Sequence, residues 1–302
     1  MIPLVSPSAD ADVPAFTAAL GLPGLTDLHV HFLPDPMQQK VWAFFDRATE
    51  EYGTVWPIHY RRPAGERLRV LRDLGVVAFA PLVYPHKPDM AAWLNEWVRD
   101  FVAATPEAVP TATFFPEPGV GDYVADALAK GARCVKAHVQ VGAYDPRDPL
   151  LDPAWGLLAE AGVPVVIHCG HGPVPGKFTG LDVHADVLRR HPRLVTVLAH
   201  AGAPEFDLAL DLVERHAGVY LDTTMVGVPF NHADELLPAD WTARLAANAD
   251  RIALGTDFPS IPYPYATQLA AIAGWAAEDD RLGEPFLRAV LWDTPRRLLA
   301  LR

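Results

Sequence analysis

Eight apolar runs rich in β-branched residues punctuate this chain, at 25–32, 76–84, 111–116, 134–141, 164–170, 194–202, 219–224 and 252–259. Each is bounded by Gly, Pro or charged residues, as strands are. Runs apolar on both faces read as parallel strands, because crossover helices cover such a sheet on its outside. The segments between them carry helical spacing. Met90, Leu94, Trp97, Val98 and Phe101 make one apolar stripe, Val120, Val124, Ala127 and Leu128 a second, and Phe206, Ala209, Leu210 and Val213 a third. Gly131, Gly162 and Gly218 follow such segments where a left-handed cap ends a helix. A further short helix is expected over 13–20, ahead of the first strand. Eight strand–helix units predict an α/β chain closed into a (β/α)8 TIM barrel. No Gly-rich dinucleotide fingerprint follows the first strand, which argues against an open doubly wound sheet.

Half of the 302 residues are hydrophobic and 21% are charged, enough for one large core. No linker, repeat or low-complexity tract divides the chain, so 1–302 reads as a single domain. The first connection, 33–75, is unusually long and holds Trp42, Phe44, Phe45, Tyr52, Trp56, Tyr60 and the pair Arg61-Arg62. Loops after barrel strands lie over the active face, so this insertion is either a lid and substrate wall or a helical hairpin packed outside.

A net charge of -12 argues against nucleic acid and anionic membrane, both of which call for a basic face. A small-molecule substrate remains, including an anionic one met by loop cations such as Arg61, Arg62, Arg147 or Lys177. Cys134 and Cys169 each fall inside an apolar run and read as buried thiols in a reducing compartment. No apolar run approaches the roughly 18 residues of a membrane span, and the start lacks a signal-peptide pattern. The expectation is a cytoplasmic protein.

Functional groups of a barrel gather at the carboxyl ends of its strands. His29 and His31 lie near the end of the first run, one residue apart and so on one face. Lys136 and His138 share a face of the fourth. His168 closes the fifth, His200 the sixth and Asp257 the eighth. An inward-facing imidazole or carboxylate is costly unless it is hydrogen-bonded or metal-bound, so this set at equivalent positions points to a metal site. His171 lies in the loop after the fifth strand, His86 and Lys87 follow the second, and His232 follows the seventh. All of these, with His138, are candidate substrate contacts. His59 has only its place in the insertion, and His184, His191 and His216 read as surface or helix-end residues.

The pattern His-x-His, a fifth-strand His, a sixth-strand His and an eighth-strand Asp resembles the amidohydrolase superfamily, within it the amidohydrolase-related branch that includes aminocarboxymuconate-semialdehyde decarboxylase. The likeness runs from Thr26-Asp27-Leu28-His29-Val30-His31 to Pro295-Arg296-Arg297-Leu298-Leu299. Asn95-Glu96, Tyr220-Leu221-Asp222-Thr223 and Gly255-Thr256-Asp257-Phe258-Pro259 support it. Thr294 departs from the Asn usual in the branch, which puts a structural cap in question. The resemblance implies one divalent metal, most often zinc, on His29, His31, His168 and Asp257. It implies that His200 moves a proton beside the metal-activated water, with Asp257 as a second proton acceptor. In two-metal members a carbamylated fourth-strand lysine bridges the ions, so Lys136 and His200 keep that version open; with one metal, Lys136 is left to meet a substrate carboxylate. A homodimer is also implied.

Three functions follow as expectations. The first is a metal-dependent hydrolase of a small amide, ester or lactone. The second is a nonoxidative decarboxylase of an unsaturated or aromatic carboxylic acid on the same site. The third is a silent barrel that only binds, which would require lost ligands; none of the expected set is missing.

Overall fold

Along the fifth strand, Val165 and Ile167 pack outward into a large core shared with the helices, while Val166 joins a separate cluster with Leu28, Cys134, Val197 and Ala253. That alternation is the two-residue period of a strand between two packed layers. The computed structural model describes residues 5–230 and 236–302. It contains β1 (Leu25–Val30), β2 (Val76–Pro81), β3 (Thr111–Thr113), β4 (Cys134–His138), β5 (Val165–His168), β6 (Thr196–Leu198), β7 (Val219–Asp222) and β8 (Ile252–Ala253). Every ladder between them is parallel, β1 on β2 and then β3 through β8 in sequence order.

Two junctions outside these strands close the ring. Val30 bridges Phe258, His31 N donates to Phe258 O at 2.7 Å, and Leu28 N donates to Leu254 O at 2.9 Å. On the other side, Phe79 of β2 bridges Ala108 just ahead of β3. The expected (β/α)8 barrel forms.

The smaller apolar cluster is the barrel interior, and Leu298 and Leu299 at the chain's last helical turn complete it. Strand periodicity puts Lys136 and His138 on the face of Cys134, and His168 on that of Val166. The polar layer at the carboxyl ends therefore stands on an apolar one.

Helices form where the stripes predict them, at Val13–Ala19, Ala91–Ala103, Val120–Ala129 and Phe206–Arg215, and all four stripe residues of the last are buried. Gly131 and Gly162 take the left-handed backbone of caps, at φ +89° and +64°. Gly218 serves a different purpose. A Cβ there would lie 2.5 Å from the Leu194 carbonyl oxygen, so its bareness lets the turn before β7 approach the start of β6. Thr294 is buried at the head of the final helix and its hydroxyl donates to Asp250 O at 3.3 Å. Cys134 and Cys169 are buried free thiols.

The long connection resolves into Asp35–Phe45, Ala48–Tyr52 and Ala64–Asp73. The third is the ordinary crossover helix ahead of β2, so the surplus is 35–56. Arg67, fully buried, joins the two parts. Its guanidinium lies 4.9 Å from the Phe32 ring and 5.5 Å from that of Trp42, and it donates to Gln38 Oε1 at 2.9 Å.

His184 is a correction to the surface expectation. It is completely buried within helix Leu181–Arg190, with Nε2 3.2 Å from Thr196 Oγ1, because the helix's apolar face turns that position onto the sheet. His191 and His216 are half-buried near helix ends, as expected.

Candidate metal centre

Three ligand-type atoms converge at the carboxyl end of the barrel. His29 Nε2 and His31 Nε2 are 3.2 Å apart, and Asp257 Oδ1 lies 2.9 Å from the latter and 3.7 Å from the former. The partners of the two rings decide where their protons are. His29 Nδ1 donates to Asp222 Oδ2 at 2.8 Å, and His31 Nδ1 donates to the Leu82 carbonyl at 2.8 Å. Carboxylates and carbonyls only accept, so both Nε2 atoms are left with lone pairs aimed at a carboxylate oxygen. Three acceptors facing one another repel unless a cation lies between them. Donors about 2.0–2.1 Å from one zinc stand roughly 3.4 Å apart in a tetrahedron, and the observed separations bracket that value. The residues fit a divalent ion.

His168 is brought to the same cavity but its atoms lie outside this trio. The loop after β5 turns back so that Gly172 O faces its Nε2 at 3.0 Å, which leaves Nδ1 as the nitrogen with the lone pair. Its ring stacks on His138 at a centroid distance of 4.2 Å and meets His200 at 4.8 Å.

His200 and Asp257 do not end strands as their sequence positions suggest. β6 stops at Leu198 and β8 at Ala253, and both residues sit in tight turns with left-handed backbone, φ +56° and +61°. Leaving the ladder is what aims their side chains at the barrel axis. The turns are held by specific bonds. His200 N donates to Asp222 Oδ1 at 2.8 Å, Asp257 N donates to His29 O at 2.8 Å, and Thr256 Oγ1 donates to Asp27 Oδ2 at 2.6 Å. Gly255 is confined as well. A Cβ there would fall 2.8 Å from Thr224 Oγ1 and 2.9 Å from His29 Cβ.

Burial sets the electrostatics. It drives His29 well below its usual range, with the Lys136 charge adding to the effect, and takes His168 to about 3. His200 falls to about 4, burial outweighing the pull of Asp257 and Asp222. Lys136, buried with Nζ 2.9 Å from His29 Nε2, is lowered to about 8 by burial against the same carboxylates. Asp257 runs the other way: burial would raise it, but the close His31 ring and the neighbouring imidazoles hold it far below the carboxylate range.

The trio opens into a cavity of about 610 Å³, lined also by Lys136, His138, His86 and the inserted segment. The insertion therefore walls the site rather than packing outside. His171 is not part of that lining. Its Nδ1 pairs with Thr179 Oγ1 at 2.9 Å and its backbone N–H donates to Glu205, so it fastens the loop. His232 lies outside the described residues. Arg61 is clamped by Asp46, Arg147 by Asp145, and Lys177 lies over the Phe178 ring; none of these lines the cavity, nor does Arg62. His59 is exposed, its N–H donating to Ile261 O.

Asp222 is the functional residue that sequence reasoning missed as a site. The signal was present, a carboxylate closing an apolar strand, but its partner His29 is distant in the chain.

The amidohydrolase family model matches residues 26–301. No curated protein matches the chain. Among solved structures, an uncharacterized TIM-barrel protein from Bordetella bronchiseptica superposes with a TM-score of 0.71 at 18% identity, covering 92% of this chain and 98% of that one. An amidohydrolase from Burkholderia multivorans with bound zinc gives 0.62 at 15% identity, over 92% and 100% of the two chains. The 5-carboxyvanillate decarboxylase LigW from Sphingomonas paucimobilis gives 0.60 at 15% identity, over 93% and 100%. At such identities these likenesses establish the barrel fold, and the family match over nearly the whole length does the rest: the chain belongs to the amidohydrolase family of metal-dependent enzymes.

Proposed function

We propose that this protein is a hydrolase of a small amide, ester or lactone, using one zinc ion held by His29, His31, Asp257 and His168. The observation that carries the reading is the convergence of His29 Nε2, His31 Nε2 and Asp257 Oδ1 as three acceptors, none of which carries a proton of its own. Nitrogen donors with one carboxylate suit zinc, the ion bound by the Burkholderia structure. Such an ion supplies Lewis acidity, lowering the pKa of a water from 15.7 to roughly 7 and polarising a carbonyl.

The chain's own residues do the remaining work. Asp222 and the Leu82 carbonyl keep the protons of His29 and His31 on Nδ1. His200, whose pKa of about 4 leaves it neutral at physiological pH, accepts the proton of the attacking water on its ring and passes it to the leaving group. Among the described residues one cluster of three ligand-type atoms forms, which favours a single ion; Lys136 Nζ, 2.9 Å from His29 Nε2, gives up that contact when the metal takes the lone pair. The same reading carries a homodimer in the cytoplasm, checked by light scattering and fractionation.

Elemental analysis of purified protein beside His29→Ala and His168→Ala variants tests the site. Near one zinc per chain, lost in both variants, is the expected outcome; two ions would restore the bridged version. Turnover on a panel of esters, lactones and amides, with carbon dioxide followed on aromatic carboxylates, tests the reaction. Carbon dioxide release without hydrolysis would replace this reading with the carboxy-lyase one, the activity named for LigW. Retained metal with no turnover at all would leave the binding role.

A further inference from the structure

Residues 35–56 are surplus to the barrel, and what they bring to the cavity is aromatic. Phe44, Phe45, Tyr52 and Trp56 all line it. Their rings are in continuous contact, with centroids 5.6 Å apart for Phe44–Tyr52, 6.1 Å for Tyr52–Trp56 and 5.1 Å for Phe45–Trp56. Trp56 is held in place, since its Nε1 donates to Ser260 O at 2.7 Å. Ser260 in turn donates its N–H to Asp257 O at 3.1 Å, so the wall is tied to the turn that carries a candidate ligand. On its other side Trp56 meets Phe230 edge-on at 5.0 Å. These rings are half-buried, neither sealed into a core nor free in solvent. A fixed aromatic surface left partly open inside a cavity gains from a flat apolar ligand that covers it.

The charges of the lining point the same way. Lys40 and Arg47 are exposed, with Glu51 on the same segment, and stand in water at the rim. The buried cation, Lys136, stands on β4 beside the ligand cluster, 2.9 Å from His29 Nε2, and not on the aromatic wall. A carboxylate pressed against the rings would lose its hydration without a partner.

We infer that the insertion selects substrates whose acyl or lactone body is an uncharged aromatic ring system. This rests on the hydrolytic reading for the identity of the reacting bond only. In the ester case, water oxygen bonds to the acyl carbon, the bond from that carbon to the alcohol oxygen breaks, and the alcohol leaves with the proton. No redox partner is involved.

The test uses full-length, zinc-loaded protein and two readouts. In the first, calorimetry measures an inert ketone, 2-acetonaphthone, against butanone, on wild type and on Phe45→Leu and Trp56→Leu. Both variants stay apolar while removing a ring, and circular dichroism checks that they fold. The expected result is naphthyl binding weakened about 3- to 10-fold in each, the scale of one aromatic contact, with butanone little changed. In the second, kcat/KM is compared for methyl 2-naphthoate, methyl acetate and the 6-carboxylate of methyl 2-naphthoate. The naphthoate ester is expected to lead both others by at least about 10-fold.

Naphthyl binding untouched by both variants would overturn the wall. Equal turnover of the carboxylated ester would overturn the requirement for an uncharged body. Ring-dependent binding with no ester cleaved would leave the wall standing and remove the hydrolytic reading. Ester cleavage without ring preference would do the reverse.

Discussion

Asp222 fixes the tautomer of His29. By accepting the Nδ1 proton at 2.8 Å it leaves Nε2 free, and through its other oxygen it holds the His200 turn. Asp222→Asn should therefore weaken zinc retention by about 10- to 100-fold, read by competition with a chelator, while leaving the barrel folded. His200→Asn should lower kcat about 10²- to 10⁴-fold with zinc content unchanged, the result the proposed proton transfer requires. Gly255→Ala would press a methyl on His29 and Asp222 at 2.9 and 3.0 Å; the expected outcome is about 1–3 kcal/mol of lost stability together with weaker zinc binding, measured by urea unfolding and metal analysis. At this scale His29, His31, Lys136, His138 and His168 were legible because polar side chains interrupt apolar strands at alternating positions. Asp222 was visible as a residue yet not as a partner, because its contact with His29 exists only once β7 and β1 face each other across the barrel.

Helix Leu181–Arg190 shows how an element carries pH dependence. His184 is buried beneath it and burial lowers its pKa to about 4, with the charge of His216 adding to the effect. Its unfolded value is about 6.5. Between those two pH values the unfolded chain binds more protons, so stability drops as pH falls from about 6.5 to about 4 and is not lost further below that. The contribution approaches about 3 kcal/mol. Urea midpoints taken between pH 7 and pH 4.5 should fall less steeply for His184→Gln than for wild type; identical slopes would refute the assignment. A helix between the fifth and sixth runs was expected from the strand–helix alternation, and the histidine's burial was not, because a lone polar residue there reads as an exposed position. The insertion shows the same limit. Its aromatic content was visible in the sequence, but the choice between outer hairpin and cavity wall was settled by Arg67 docking Gln38 and by Trp56 reaching Ser260.

For the whole molecule, the metal is expected to be a stability element as well as a functional one. Removing it leaves three facing acceptors in a buried layer. At 100-fold excess over its Kd an ion that binds only the folded chain adds about 2.7 kcal/mol, so chelation should lower Tm by about 4 °C, restored by zinc. A scan showing no shift would separate metal binding from folding. The sequence by itself determined the strand–helix alternation, the closure into eight units and the type of chemistry, because periodicity and polar residues at strand ends are local properties. The tertiary structure decided which of those residues meet. It brought His29, His31 and Asp257 into one cluster, put His168 Nε2 on the Gly172 carbonyl so that Nδ1 keeps the lone pair, used His171 to fasten its loop and placed the insertion over the cavity. Each outcome depends on distances between residues far apart in the chain, and those are set only when the barrel closes.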